Sequence, residues 1–176
     1  MLTKIQQRTV KMLRAGGVGV LPTDTLYGLV GLARRPKTVQ RIYRLKRRAP
    51  PKPFIILIDS LMDLNRFGTK INPQTRRVLT RLWPGPISVV LPSRRPKTLA
   101  FRMPRNKPLR RILKQTGPLV APSANPEGKK PAETIKEAKK YFGGKVDFYL
   151  SAGKRLAGPP STLVALDENG RITVLR

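Results

Sequence analysis

Residues 18–32, reading Val-Gly-Val-Leu-Pro-Thr-Asp-Thr-Leu-Tyr-Gly-Leu-Val-Gly-Leu, constrain this chain more than any other stretch. Val18, Val20 and Leu21 make an apolar run of the length of a buried strand. Pro22 has no N–H to donate and ends a sheet ladder. Three small polar side chains follow, Thr23, Asp24 and Thr25, before Tyr27 and Leu29 turn apolar again. The plainer reading is a strand, a Thr/Asp turn and a second strand. The sharper one is a ligand site, because open α/β sheets bind ligands at strand ends.

The remainder alternates helical and extended patterns. A helix is predicted over residues 3–15, with Ile5, Thr9, Met12 and Leu13 on one side and Gly16-Gly17 as its stop. Pro36 opens a second helix, whose inward stripe is Val39, Ile42 and Tyr43. Lys46 continues that stripe at the helix end, where it either caps carbonyls or points into a site. Residues 54–58, Phe-Ile-Ile-Leu-Ile, are the clearest buried strand, with Asp59 and Ser60 capping a short helix after it. Asn72 with Pro73, and Asn106 with Pro108, each start a further helix. Strands are predicted over 87–91, 98–103, 119–121, 146–150 and 162–166, and a helix carries Ile135, Ala138 and Tyr141. Asn169-Gly170 signals a hairpin returning through 172–175. This interleaving predicts an α/β fold, one open twisted mixed sheet flanked by helices, in a single domain spanning 1–176.

Charge narrows the chemistry. Lys and Arg number 37 against 9 Asp and Glu, a formal charge of +28. Such an excess attracts polyanions, whether nucleic acid or a phosphate-rich small substrate, and heat or salt adaptation produces it too. The chain has no Cys and no His, which excludes disulfides, thiol nucleophiles, Cys/His zinc sites and histidine acid–base catalysis. No run approaches the ~18 apolar residues of a membrane span, and the N-terminus lacks a signal-peptide core, so a soluble, cytoplasmic protein is expected. Lys46, Arg48 and Lys52 form a cation cluster beside Pro-restricted backbone, suited to phosphate or else a solvated helix end. Ser123 and Asn125 directly follow a strand, as ligand-binding groups or as an ordinary turn.

Six segments together resemble the YrdC-type threonylcarbamoyl-AMP synthases. Leu21-Pro-Thr-Asp-Thr-Leu-Tyr-Gly-Leu29 is similar to the family's Pro-Thr-Glu-Thr-x-Tyr-Gly-Leu opening. Lys46-Arg-Arg48 with Lys52-Pro-Phe54 resembles its Lys-x-Arg segment and following strand. Trp83-Pro-Gly-Pro86, Phe101-Arg-Met-Pro104, Ala121-Pro-Ser-Ala-Asn125 and Pro160-Ser-Thr-Leu-Val164 match its later motifs in order. Departures are Asp24 for the commoner Glu, Ser88 for Thr, and Leu57 where many members carry His. The second domain and linker of longer members are not in this sequence, so the resemblance is to a single-domain member.

The resemblance implies a YrdC-like fold with a deep basic cavity. It implies condensation of L-threonine, bicarbonate and ATP to threonylcarbamoyl-AMP plus pyrophosphate, with Mg2+ accompanying the nucleotide. Partner proteins then transfer the threonylcarbamoyl group to tRNA. Carried over by position, Lys46 and Arg48 are the catalytic cations, which also bind ATP together with Lys52, Thr98, Ser123, Asn125 and Arg176. Thr23, Thr25, Arg102, Ala121 and Ser161 are assigned to L-threonine. The competing reading is a basic RNA-binding module of the same fold, in direct contact with tRNA or other RNA. Trp, Tyr and Phe number 1, 4 and 5 and sit mostly in apolar runs, a poor signature for base stacking.

Overall fold

The computed structural model describes residues 2–49, 52–94, 97–152, 161–167 and 169–176. Helix α1 (Lys4–Arg14) begins with a capping box. The Thr3 hydroxyl accepts from Gln6 N, and the Gln6 side chain accepts from Thr3 N. It leads to β1 (Gly19–Pro22), β2 (Tyr27–Leu32) and α2 (Pro36–Lys46). The middle of the chain forms β3 (Ile56–Leu57), a 3-10 turn (Leu61–Phe67), α3 (Pro73–Leu82), β4 (Ile87–Pro92), β5 (Thr98–Arg102) and α4 (Lys107–Thr116). Then come β6 (Leu119–Val120), α5 (Ile135–Phe142), β7 (Phe148–Tyr149), β8 (Thr162–Leu166) and β9 (Ile172–Val174). Asn72, Asn106 and Thr134 cap α3, α4 and α5 by accepting a backbone N–H of the first turn.

Among the described residues the strands form one mixed sheet, in the order β7-β1-β2-β6-β3-β5-β4-β8-β9. Three pairs are parallel, β1 with β7, β3 with β5 and β4 with β8. Side chains alternate across a strand, and the two apolar clusters follow that alternation. Val20, Leu29, Ile56 and Phe101 join Ile42 of α2, Leu79 of α3 and Phe142 of α5. Their neighbours Leu21, Val30 and Leu57 join Val10 and Leu13 of α1 and Leu109, Ile112 and Leu113 of α4. Leu57 pairs with Arg102 in register, so Arg102 and its alternates Ala100 and Thr98 share the face that carries α1 and α4.

Three expectations need correction. The strand over 54–58 pairs in the ladder only at Ile56 and Leu57. Its neighbour β6 is bounded by Pro118 and Pro122, which have no N–H to offer. The backbone stays hydrogen-bonded beyond the ladder, with Ala121 N donating to Ile55 O and Ile58 N to Arg102 O. The strand over 146–150 likewise reduces to Phe148 and Tyr149, at the sheet edge with β1 as its neighbour. Asp59 does not cap the 3-10 turn. Ser60 does so with Asp63, while Asp59 pairs with Arg110 at 2.8 Å.

Helix α2 approaches β2 closely at Gly31. A Cβ there would drive into Thr38 Cγ2 and come within 3.1 Å of Ile42 Cδ1. Thr38 cannot turn away, because its hydroxyl donates to Gly16 O at 2.9 Å. Gly31→Ala should therefore lower stability by about 1–3 kcal/mol through overpacking. The check is a lower denaturant midpoint at unchanged m-value.

Candidate active site

A cavity of about 730 Å³ opens on the sheet face shared with α1 and α4, beyond the area those helices cover. Thr98, Ala100 and Arg102 of β5 form part of its lining, with Leu163 of β8 and Val90 of β4. Its rims are the loop after β1, the end of α2 with the segment before β3, and the loop after β6. Lys46, Arg48, Lys52, Arg102, Lys130 and Arg176 all line it, and among the described residues no carboxylate does. Charges of one sign around a low-dielectric hollow focus the field and draw in anions.

The first rim is built by its own sequence. The Thr23 hydroxyl donates to Leu26 O at 2.6 Å and accepts from Thr25 N and Leu26 N. The Thr23 side chain therefore folds the turn between β1 and β2 and is itself buried. Thr25 sits within that turn, and its hydroxyl accepts from Arg102 Nη1 at 3.2 Å. Arg102 is 4% exposed and pairs with Asp24 at 3.1 Å. Asp24 is held in turn by Arg105 N on its other oxygen. Burial pushes the Arg102 guanidinium below its ordinary pKa, and the Asp24 charge partly restores it. Arg102 Nε and Asp24 Oδ1 are buried without a hydrogen-bond partner. A buried guanidinium with an unused donor is prepared to receive a second carboxylate.

Lys46 settles the alternatives left open by its helix position. It does not cap its own helix. Its ammonium crosses to the loop after β6, donating to Ser123 O at 2.8 Å, Asn125 Oδ1 at 3.1 Å and Ser123 Oγ at 3.3 Å. An ammonium only donates, so the Ser123 oxygen accepts from it and the Ser123 proton is left for another acceptor. Asn125 cannot rotate freely, since its amide donates to Pro126 O and Lys129 O. Lys46 is buried, and its pKa falls from 10.5 to about 8. Burial is the chief cause, Arg48 lowers it further, and Glu127 opposes both.

Of the residues singled out from sequence, Thr23, Thr25, Lys46, Arg48, Lys52 and Thr98 line the cavity. So do Arg102, Ala121, Ser123, Ser161 and Arg176. Asn125 does not; it stands behind Lys46. Ala121 N is spent on Ile55 O. Ser161 is buried against Ser88, hydroxyl to hydroxyl at 2.8 Å. The Arg176 backbone is held to β8 by two hydrogen bonds with Leu163, its N–H donating and its carbonyl accepting. Leu57 is wholly buried beside α4 and does not reach the cavity. Pro160 lies outside the described residues. Sequence reasoning missed Lys130 and the wall residues Tyr27 and Phe54. For Lys130 the available signal was a lysine beside Pro131, a few residues after the Ser-x-Asn segment.

This arrangement agrees with what comparison with known proteins finds. The sequence profile of the Sua5_yciO_yrdC family, described as Telomere recombination, matches residues 11–176. The chain belongs to the Sua5/YciO/YrdC family. A threonylcarbamoyl-AMP synthase of Pyrococcus abyssi is 32% identical over 166 residues, 89% of this chain and 49% of that protein. The threonylcarbamoyl-AMP synthase of Nitrosococcus oceani is 35% identical over 162 residues, 85% of this chain and 86% of its own. The crystal structure of P. abyssi Sua5 complexed with L-threonine superposes with a TM-score of 0.88 at 29% identity. It is matched over 97% of this chain and 53% of that one. The chain thus spans about half the length of its P. abyssi relative and most of the N. oceani one.

Because the folded pKa of Lys46 lies below its unfolded value, the unfolded chain binds the extra proton between pH 8 and 10.5. Stability from this group therefore rises as pH climbs through that window and is flat below it. Lys46→Met in this Sua5/YciO/YrdC member should abolish that rise. Denaturant midpoints of wild type and variant from pH 7 to 10 test it, and parallel curves would refute the assignment.

Proposed function

We propose that this chain is an L-threonylcarbamoyladenylate synthase, joining L-threonine, bicarbonate and ATP and releasing pyrophosphate. The observation that carries the reading is the convergence of Arg102 with Thr25 and of Lys46, Arg48 and Lys52 with Ser123 on one hollow that no Asp or Glu among the described residues lines. The names of the relatives and the L-threonine in P. abyssi Sua5 support it.

In this reading Arg102 and Thr25 hold the amino acid by its carboxylate and hydroxyl. Lys46, Arg48 and Lys52 hold the triphosphate, and Ser123 offers its O–H to a phosphate oxygen. The neutral threonine amine attacks the bicarbonate carbon, the bond from that carbon to the bicarbonate hydroxyl breaks, and the hydroxyl leaves as water with a proton from the amine, giving an N-carboxylate. An oxygen of that carboxylate attacks the α-phosphorus, and the bond to pyrophosphate breaks. The nucleophile is already anionic, so a chain without histidine lacks nothing for this step. What the step demands is alignment of two mutually repelling anions and neutralisation of the leaving charge, which fixed cations supply. Asp24 pairs with Arg102 from outside the lining and offsets part of the cost of burying that charge.

Among the described residues no Asp or Glu lines the cavity for Mg2+, and no cluster of three or more metal-ligating side chains exists. Any Mg2+ arrives with the triphosphate as part of the substrate, in keeping with its preference for phosphate and water oxygens. Transfer of the product's threonylcarbamoyl group to tRNA falls to partner proteins in this reading. No helix among the described residues is long and apolar enough to cross a membrane.

Purified protein with labelled threonine, bicarbonate and MgATP should release pyrophosphate only when threonine is present. Arg102→Ala should raise the threonine KM roughly 10- to 100-fold, the worth of one lost charge-assisted contact. ATP turnover indifferent to threonine would sink the proposal.

Direct RNA contact is a separate matter, supported by the charge of +28 alone. In a salt titration we expect binding to vanish near physiological ionic strength and to ignore tRNA identity, as unspecific attraction does. Tight binding that persists at that salt and prefers one tRNA would favour the RNA-binding reading.

A further inference from the structure

The cations assigned to the triphosphate sit on a short stretch, Lys46 as the last residue of α2 and Arg48 and Lys52 between α2 and β3. Long cationic side chains lose much rotamer freedom on binding, so a scaffold that orders them beforehand raises affinity. Lys46 is ordered by Ser123 and Asn125. The Lys52 ammonium lies 3.4 Å from Glu127, an exposed pair of little worth. A further support, shared by Arg48 and Lys52, runs through one residue that does not line the cavity, Tyr43.

Tyr43 lies on α2, three residues before Lys46, and is half-buried. Its ring stacks on Phe54, with centroids 4.2 Å apart and planes at 29°. Phe54 in turn carries the Arg48 guanidinium over its ring, 5.4 Å from the centroid. The Tyr43 hydroxyl donates to the carbonyl oxygen of Lys52 at 2.9 Å. One side chain thus reaches Arg48 through a ring and Lys52 through a hydrogen bond. Arg48 Nε is buried without a hydrogen-bond partner, so the ring contact is a substantial part of what orients it.

We propose that Tyr43 is a positioning residue that presets Arg48 and Lys52 for the phosphate end of the nucleotide. The inference rests on the nucleotide reading of the cavity. It assigns two separable functions to one side chain, the hydroxyl acting on Lys52 and the ring acting on Arg48. Burial raises the phenol pKa, with Arg48 opposing, so the hydroxyl remains a donor at neutral and mildly alkaline pH.

The test is a set of double-mutant cycles read by calorimetry with a non-hydrolysable ATP analogue and, separately, with L-threonine. Tyr43→Phe keeps the stack and removes the hydrogen bond. It should weaken nucleotide binding about threefold to tenfold, the range of one ordinary hydrogen bond. In a Lys52→Ala background the same change should cost less than about twofold, the limit expected of uncoupled sites. Tyr43→Leu should weaken nucleotide binding further. It should keep an effect in the Lys52→Ala background and lose it only when Arg48→Ala is added. Threonine affinity should stay within about twofold throughout, because Arg102 and Thr25 do not touch this scaffold. The inference is overturned if Tyr43→Phe binds nucleotide like wild type, if its cost is undiminished without Lys52, or if threonine affinity falls in step. A wild-type protein that binds no nucleotide at all overturns the functional reading instead, so the two failures are distinguishable.

Discussion

The Lys46 ammonium is the contact on which the rest of this site depends. A cation removed from water is costly unless every proton finds an acceptor. Here the three acceptors are neutral and come from one loop, Ser123 O, Ser123 Oγ and Asn125 Oδ1. The bond network ties the end of α2 to the loop after β6, segments 77 and 79 residues apart in the chain. It also fixes the sense of the Ser123 hydroxyl, which must present its proton elsewhere. Beside it, Glu127 N donates to the Lys46 carbonyl at 2.7 Å, so backbone and side chain of one lysine hold the same loop.

The second constraint is the division of charge. Asp24 stands outside the lining and offsets part of the burial cost of the Arg102 charge, while among the described residues every charged side chain of the lining is a cation. Two differently built ends result. At one, a half-satisfied guanidinium is paired with a threonine hydroxyl. At the other, an ammonium and a guanidinium are held by a loop and a ring. A substrate pair with a small carboxylate at one side and a polyphosphate at the other matches this asymmetry. A uniform polyanion uses only the sum of the charges, which is why the total of +28 says less than the placement of a few groups.

Much of the fold was legible because its signals are local. Asn72-Pro73 and Asn106 with Pro108 announced α3 and α4 through capping chemistry that needs no tertiary partner. Asn169-Gly170 announced the β8–β9 hairpin for the same reason. The lengths of β3 and β7 were not legible, because ladder length depends on which strand lies alongside. For β3 that neighbour is a two-residue β6 bounded by prolines. Within the site, the Ser123-x-Asn125 spacing could not tell which side chain faces the cavity and which stands behind it. Lys46 decides that by drawing both onto itself. Lys130 escaped notice because a lysine beside a proline recurs in this chain, at Lys37, Lys52, Lys97 and Lys107, so Pro131 alone did not mark it off.

The sequence by itself determined the Thr/Asp turn, the Asn72 and Asn106 helix caps, the absence of histidine chemistry, and the sign of the field. Each follows from groups within a few residues of one another or from composition alone. Only the tertiary structure decided which cations meet. Arg102 reaches Thr25 because β5, β3, β6 and β2 lie side by side in that order. Lys46 reaches Ser123 because β2 binds the loop after β6, through Leu29 N to Pro122 O and Ala124 N to Tyr27 O. Strand order is settled by burying two apolar faces at once, a condition on the whole chain that no short stretch contains.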